Sequence, residues 1–453
     1  MRSLKFFLGL ALFITSLTSS VGQSNDSAFV LNIDQCIAYA LQNNDSLKNA
    51  QLDVRAANYQ VRETVGLGLP QVNGEVSYTN DFAIRTSFLP AEFLGGEPGT
   101  MAPVKFGIPH SATVGLTVNQ LIFDGSYLVG LQASNVYQDL SRKAEKRTKV
   151  DIIYNVTTAF YTVLINEERA ELLQQNYHQL DSLLRETRIM YENGFSEKID
   201  VDRVRLRFNN IKTEVANVNR ALFLSKQLLK FQIGMPLSHE LELSGSLDNL
   251  DLDFNLEVVS NDFTFEQRIE YSILQTQKQL ATLNLKNNRV ANYPSLYGFL
   301  GMGYNAGTDN FSELTNFSDN WFSYGNFGLT LSVPIFSGLQ RHYTTQQAKI
   351  EVFKSENNLN NLKKAINLEL VTAKTQLQNS LATLESEKEN MELARGIFNA
   401  TKIKYQEGLG SNLEVIEAET SYKEAETNYY SAMFDALVAK IDLEKALGIL
   451  NKE

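Results

Sequence analysis

Hydrophobic positions along this chain follow two different periods. Between about Ser126 and Met190, and again between about Leu339 and Lys404, they recur every three or four residues. Val129, Ala133, Val136 and Leu140 step this way, as do Ala170, Leu173, Tyr177, Leu180 and Leu184. In the second stretch Ile366, Leu370, Ala373 and Leu377 repeat the pattern. This spacing predicts long helices with a coiled-coil seam. At ~1.5 Å per residue, each would be roughly 97 Å long. Shorter helical patterns follow, from Ile199 to about Ile233 and from Leu413 to about Leu447. Others come before, from Asp34 to about Val65 and from Glu266 to Ala291, stopped by Leu69-Pro70 and Tyr293-Pro294.

The second period is two. Val72, Val76 and Tyr78 alternate with Asn73, Glu75, Ser77 and Thr79. Val114, Leu116 and Val118 alternate with Thr113, Thr117 and Asn119, and Phe327, Leu329, Leu331 and Val333 with Asn326, Thr330 and Ser332. Strands are expected at about 71–80, 111–123, 295–305 and 322–336, the third being glycine-rich. Apolar-out, polar-in strands of about ten residues fit a membrane barrel with a wet lumen. A half-exposed sheet on a soluble core is the other reading of alternation alone. Tyr78, Tyr304, Trp321, Phe322 and Tyr324 near the strand ends are expected in an aromatic girdle. Four strands cannot close a barrel, because the smallest have about eight; several chains must contribute. The stretches 80–109 and 306–320 would be outer loops.

The order helix, strand, loop, strand, long helix, turn, helix occurs twice. One 214-residue offset separates Tyr191 from Tyr405 and Gly194 from Gly408. Gly115-Leu116-Thr117-Val118 lies over Gly328-Leu329-Thr330-Leu331 at a similar offset. Two structural repeats are expected, 23–235 and 263–453, with tips near 191–198 and 405–412 and a connecting, equatorial segment at 236–262.

The N-terminus sets the compartment. Arg2 and Lys5, an apolar run from Phe6 to Ile14 and small residues up to Gly22 read as a signal peptide, residues 1–22. No other run approaches the ~20 apolar residues of a membrane helix. The formal charge is -11, and removing Arg2 and Lys5 makes it more negative. No basic patch stands out, which argues against nucleic acid as a partner. Cys36 is the single cysteine and reads as a small buried apolar residue.

Catalytic and cofactor patterns are missing. His110, His178, His239 and His342 are scattered without metal-ligand spacing. Gly298-Phe299-Leu300-Gly301-Met302-Gly303 sits in a strand pattern and opens no helix, so it fails the context of a dinucleotide loop. The expectation is a non-enzymatic protein with no cofactor and no metal.

The two turns hold the remaining candidates. Gly194 and Gly408 fit helix C-caps. Phe195 and Leu409 would either clip onto the preceding turn or stand exposed as partner contacts, together with Ser196, Gly410 and Ser411. Glu414 and Glu417 share a helix face. They either complement the helix dipole or, repeated in several chains, ring an opening with carboxylates.

Several of these features together resemble the TolC family of outer-membrane efflux proteins. They are Ala38-Tyr39-Ala40-Leu41-Gln42-Asn43-Asn44, both helix-ending prolines, Pro334-Ile335-Phe336-Ser337-Gly338, both Tyr-x-x-Gly turns and Ala446-Leu447-Gly448. The resemblance implies a mixed α and β membrane protein. Its homotrimer would form a 12-stranded outer-membrane β-barrel in outer-membrane lipid, continuing into an α-helical coiled-coil periplasmic barrel. It further implies a passive exit duct in the outer membrane of a Gram-negative bacterium. A periplasmic adaptor and an inner-membrane pump, RND or ABC type, would supply it. By the same resemblance the turns lie at the periplasmic mouth, where acidic residues ring the constriction. Glu414 and Glu417 occupy those positions in the second repeat, Asp200 and Arg203 in the first. The basic residue that locks the gate in some members is replaced here by Gly410. A type I protein-secretion duct and a periplasmic helical adaptor are the alternative readings.

Overall fold

The structure is a computed structural model that describes residues 29–245, 263–317 and 319–450. The expected signal peptide and most of the 236–262 connecting segment lie outside the described residues. The chain divides into two compact units, and the dividing line falls inside one long helix.

The first unit contains β1 (Phe29–Leu31), α1 (Ile33–Asn43), the C-terminal part of α3 (Gly125–Glu192), α4 (Lys198–Ile233) and β6 (Leu241–Leu243). β1 and β6 pair in parallel. Cys36 and Ala40 of α1 are fully buried, as are Leu229 and Ile233 of α4. Burial pushes the Cys36 thiol up to about 11, which suits a packing role. Along α3 the seam is more polar than its periodicity predicts. Leu180 is buried as expected, but Asn176 and Thr187 are buried beside it. Thr187 satisfies its hydroxyl by donating to the Leu183 carbonyl at 2.8 Å. Lys226 of α4 pairs with Glu167 of α3 at 2.7 Å, and the rings of Tyr177 and Phe208 lie 5.1 Å apart.

The second unit contains α2 (Asp45–Gly66), the N-terminal part of α3, the strands β2 (Gln71–Asn80), β5 (His110–Phe123), β7 (Ser295–Thr308) and β8 (Trp321–Ser332), and α5 (Ile269–Val290), α6 (Gln340–Gln406) and α7 (Asn412–Leu447). A small hairpin, β3 (Thr86–Pro90) and β4 (Met101–Lys105), interrupts the 80–109 stretch that reads as loop in the sequence. Pro90 and Pro103 obscure its alternation. The four long strands form one antiparallel sheet in the order β2-β5-β7-β8. Helix α6 alone has 67 residues, about 100 Å of rise. Ile366, Ala373 and Leu377 are buried along it, so the expected seam is the packed one. Ala373 and Leu377 meet Ala439, Leu443, Ala446 and Leu447 of α7 in one apolar cluster. The alanines let the helices approach closely.

The helix expected from Asp34 to Val65 is two helices. Asn44 caps α2, its side chain accepting from the Ser46 N–H at 2.9 Å. Asn-Asp-Ser competes with helical backbone bonding and therefore starts a new helix rather than continuing the old one.

Four helices end in the same way. At Gly194 the backbone turns left-handed, with φ 82. Its N–H donates to the Tyr191 carbonyl at 3.0 Å, and the Phe195 N–H to the Met190 carbonyl at 2.8 Å. This is the paired hydrogen-bond pattern of a Schellman end. Gly408 repeats it with Tyr405 and Lys404, Gly234 with Phe231 and Lys230, and Gly448 with Lys445 and Glu444. The Tyr-x-x-Gly spacing is therefore the spacing between the accepting carbonyl and the left-handed residue.

Arg268 organises the end of α7. It is 5 % exposed. Its Nε bonds Glu270 at 3.1 Å, Nη2 bonds Glu369 at 3.0 Å, and Nη1 donates to the Ala446 carbonyl at 2.9 Å. One guanidinium thus joins α5, α6 and the last turn of α7. Burial pushes the Glu270 carboxyl up, but a backbone hydrogen bond, Arg268 and Arg147 outweigh it, and the group is held below its ordinary value.

Two predictions follow from these contacts. Alanine at Gly194 or Gly408 should destabilise its hairpin end by about 1–2 kcal/mol, the cost of a Cβ in left-handed backbone, measured by denaturant titration. Arg268→Ala should cost about 1–3 kcal/mol, because it removes the donor of two partly exposed carboxylates and one carbonyl. In the unaltered protein the Glu270 contribution is complete above the ordinary value of 4.5. It is lost as pH falls through the lower folded value. Arg268→Ala should flatten that acid limb.

Candidate functional site

Strand register sorts the sheet into two faces. On one, Val72 lies opposite Val118, Val118 opposite Leu300, and Leu300 opposite Phe327. Val76, Val114 and Tyr304 form another rung of that face, and Leu116 and Met302 a third. Many of these side chains are exposed, Val76, Phe327 and Leu329 most of all. On the other face Asn73, Thr117, Gly301 and Asn326 share a rung, and Ser77, Thr113 and Asn305 another. An uncovered apolar sheet face this large needs a partner, and a face of the alternating barrel type fits lipid hydrocarbon. Among the described residues β2 and β8 each pair on one side only. Among the described residues, no helix is long and apolar enough to cross a membrane.

The aromatic expectation is corrected in part. Tyr78, Tyr304 and Trp321 fall on the apolar face. Phe322 and Tyr324 do not: Phe322 lies opposite Asn305 and Tyr324 opposite Gly303, both on the polar face. Proximity to a strand end says nothing about which face a residue takes; parity along the strand does, and both residues lie an even number of positions from Asn326.

The first hairpin end runs from Gly194 to Arg203. Phe195 is 84 % exposed, so it does not clip onto the preceding turn. The Glu197 N–H and the Ser196 hydroxyl both donate to Asp200 at 3.4 Å. Arg203 lies 3.5 Å from the other oxygen of Asp200. Asp200 thus caps the first turn of α4, and its charge is matched by Arg203. The Glu197 backbone was not anticipated as its partner. The signal lies in the acid three residues after a polar cap position. Val201 and Val204 are buried and anchor this turn.

The second end, considered separately, is built differently. Leu409 is 83 % exposed and likewise has no clip. Ser411 caps α7: its hydroxyl accepts from the Glu414 N–H at 3.3 Å and donates to the Glu414 carboxylate at 3.2 Å. A Cβ at Gly410 would lie 3.6 Å from Glu414 Oε2. A basic side chain there would sit beside Glu414, and glycine supplies none. Glu417 is exposed and, among the described residues, has no ion-pair or hydrogen-bond partner. Val415, Ile416 and Ala418 are buried beneath it. This end presents carboxylates that no cation on its own hairpin neutralises.

Among the described residues, no group of three or more His, Cys, Asp or Glu side chains is placed to hold a metal ion.

Known proteins share this build. Over 447 residues the chain is 20 % identical to the outer membrane protein TolC of Vibrio cholerae, covering 96 % of this chain and 95 % of that one. It is also 20 % identical to the alkaline protease secretion protein AprF of Pseudomonas aeruginosa, over 74 % of this chain and 69 % of the relative. The solved CmeC outer membrane channel of Campylobacter jejuni superposes with a TM-score of 0.74 at 17 % identity, covering 92 % of this chain and 85 % of that chain. The model of the family described as outer membrane efflux protein matches residues 36–234 and 273–449, and with most of its length matched the chain belongs to that family.

Proposed function

We propose that three copies of this chain close one barrel in the outer membrane and conduct solutes outward without chemistry of their own. The observation that carries this is the four-stranded sheet with an uncovered apolar face and two free edges. In hydrocarbon every backbone N–H and C=O must find a partner, so such a sheet is viable only when its edges close. Three copies give 12 strands, within the range of known barrels. In this arrangement β2 of one copy pairs with β8 of the next.

The chain is built as two copies of one half-unit in this reading. The matched helices support it: α2 and α5 each have 22 residues, and α4 and α7 each have 36. Three copies of the second hairpin end would bring Glu414 and Glu417 together as a ring of carboxylates around the periplasmic opening. Such a ring attracts cations. Phe195 and Leu409, exposed at the two tips with Ser196, Gly410 and Ser411 beside them, are proposed contacts for a periplasmic adaptor. Energy would come from an inner-membrane pump of RND or ABC type coupled through that adaptor. The AprF relative favours a second reading, a duct for an exported polypeptide. A substrate protein encoded beside an ABC exporter would select it.

Two measurements test the duct. Chemical crosslinking of outer-membrane fractions should give a band at three times the mass of the single mature chain; a soluble monomer would overturn the proposal. In planar bilayers the double variant Glu414→Gln, Glu417→Gln should lose cation preference severalfold, while unchanged selectivity would remove the ring from the account.

A further inference from the structure

The polar face of the sheet contains rings where strand alternation calls for small polar groups. β2 and β5 obey the pattern there, with Asn73, Ser77, Thr113 and Thr117. β7 and β8 do not. Tyr297 and Phe299 of β7 and Phe322 and Tyr324 of β8 all take the polar face, because Tyr297 lies opposite Thr330, Phe299 opposite Gly328, Phe322 opposite Asn305 and Tyr324 opposite Gly303. From the level of Thr330 to Phe322 is eight residues of β8, about 26 Å at ~3.3 Å per residue.

Two of the rings, Phe299 and Tyr324, lie against bare backbone. A Cβ at Gly115 would meet the Tyr324 hydroxyl at 2.5 Å, and one at Gly303 would meet it at 3.0 Å. A Cβ at Gly328 would meet the Phe299 ring at 2.7 Å. These glycines make troughs that Phe299 and Tyr324 fill, so that both rings lie along the sheet. Phe322 is 64 % exposed and Tyr324 41 %. A water-facing wall gains nothing in solubility from such surface, but aromatic faces bind flat apolar groups and cations.

Charge on this face has one sign. None of the four strands contains lysine or arginine, and Glu75 is their one acid. It shares a rung with Gly115, Gly303 and Tyr324. At the other end the Tyr297 hydroxyl donates to Asp124 at 3.4 Å.

We propose that Tyr297, Phe299, Phe322 and Tyr324, with Glu75 and Asp124, form an aromatic track that binds flat, apolar organic cations as they pass through the barrel. The inference rests on the duct reading, in which the polar face is the channel wall.

Ethidium in planar-bilayer recordings of the assembled channel is the probe. The native channel should show transient ethidium block. A variant with Tyr297→Ser, Phe299→Leu, Phe322→Ser and Tyr324→Leu should shorten the blocked time roughly tenfold or more, with potassium chloride conductance changed by less than about twofold. Leucine at 299 and 324 keeps apolar cover over the glycines. If that variant does not assemble, Phe322→Ser and Glu75→Gln alone should each shorten the block severalfold. Absence of block in the native channel, or equal block in all variants, overturns the track. Equal block by a neutral flat solute overturns its preference for cations. Phe322→Cys separates this failure from that of the duct itself. A charged, water-soluble thiol reagent should modify it in the open channel, with Cys36 silent because it is fully buried. Protection of that cysteine from the aqueous reagent would overturn the channel-wall assignment and the duct reading together.

Discussion

Unpaired backbone along two strand edges is the constraint on which the rest depends. A sheet in hydrocarbon cannot leave its N–H and C=O groups without partners, and β2 and β8 leave one row each. Everything else in the sheet follows from closing that gap between copies. The apolar face points outward because lipid replaces water there. The strands run to 10–14 residues, the length needed for tilted passage through a bilayer. The helices that leave the sheet must then be shared among copies as well. Within one chain the seam of Ala373 and Leu377 is already closed by α7.

The helical parts were legible in the sequence because their signals are local. A three-four hydrophobic step, a proline stop and a glycine end each act within a turn or two. The Schellman bonds at Gly194 and Gly408 are what a Tyr-x-x-Gly phrase encodes. What the sequence hid depends on pairing. Phe322 and Tyr324 share the parity of Asn326 but are aromatic, so residue type and strand period pointed to opposite faces; the partners Asn305 and Gly303 show that the period wins. The β3–β4 hairpin was masked by prolines. Arg268 falls inside the helix expected from Glu266, and nothing local marks it, because its partners Glu369 and Ala446 lie far away in the chain. Asn44 was visible as a polar residue but not as a break, because the apolar spacing on either side continues in phase.

The two hairpin ends illustrate how similar phrases acquire different electrostatics. Both are capped by a polar residue, and both place an acid three residues later. In the first end that acid is Asp200, with Arg203 one turn on. In the second it is Glu414, followed by Glu417 and preceded by Gly410. A single cationic side chain per hairpin decides whether the carboxylate is balanced locally or left to act on whatever approaches. The backbone geometry of the ends is common property; the charge is individual.

The fit of Tyr324 over Gly115 and Gly303 also bears on how this sequence can drift. Any side chain at Gly303 would place its Cβ 2.4 Å from the Val114 carbonyl oxygen as well as against the tyrosine hydroxyl. Position 303 is therefore closed to other residues while the strands keep their register, whereas at 115 the hard overlap is with the tyrosine hydroxyl and the Met302 carbonyl lies at 3.3 Å. Among descendants of this gene, a change at 115 should arrive with a displacement or loss of the ring at 324. The tolerance for substitution on this branch would then be written by one contact between neighbouring strands.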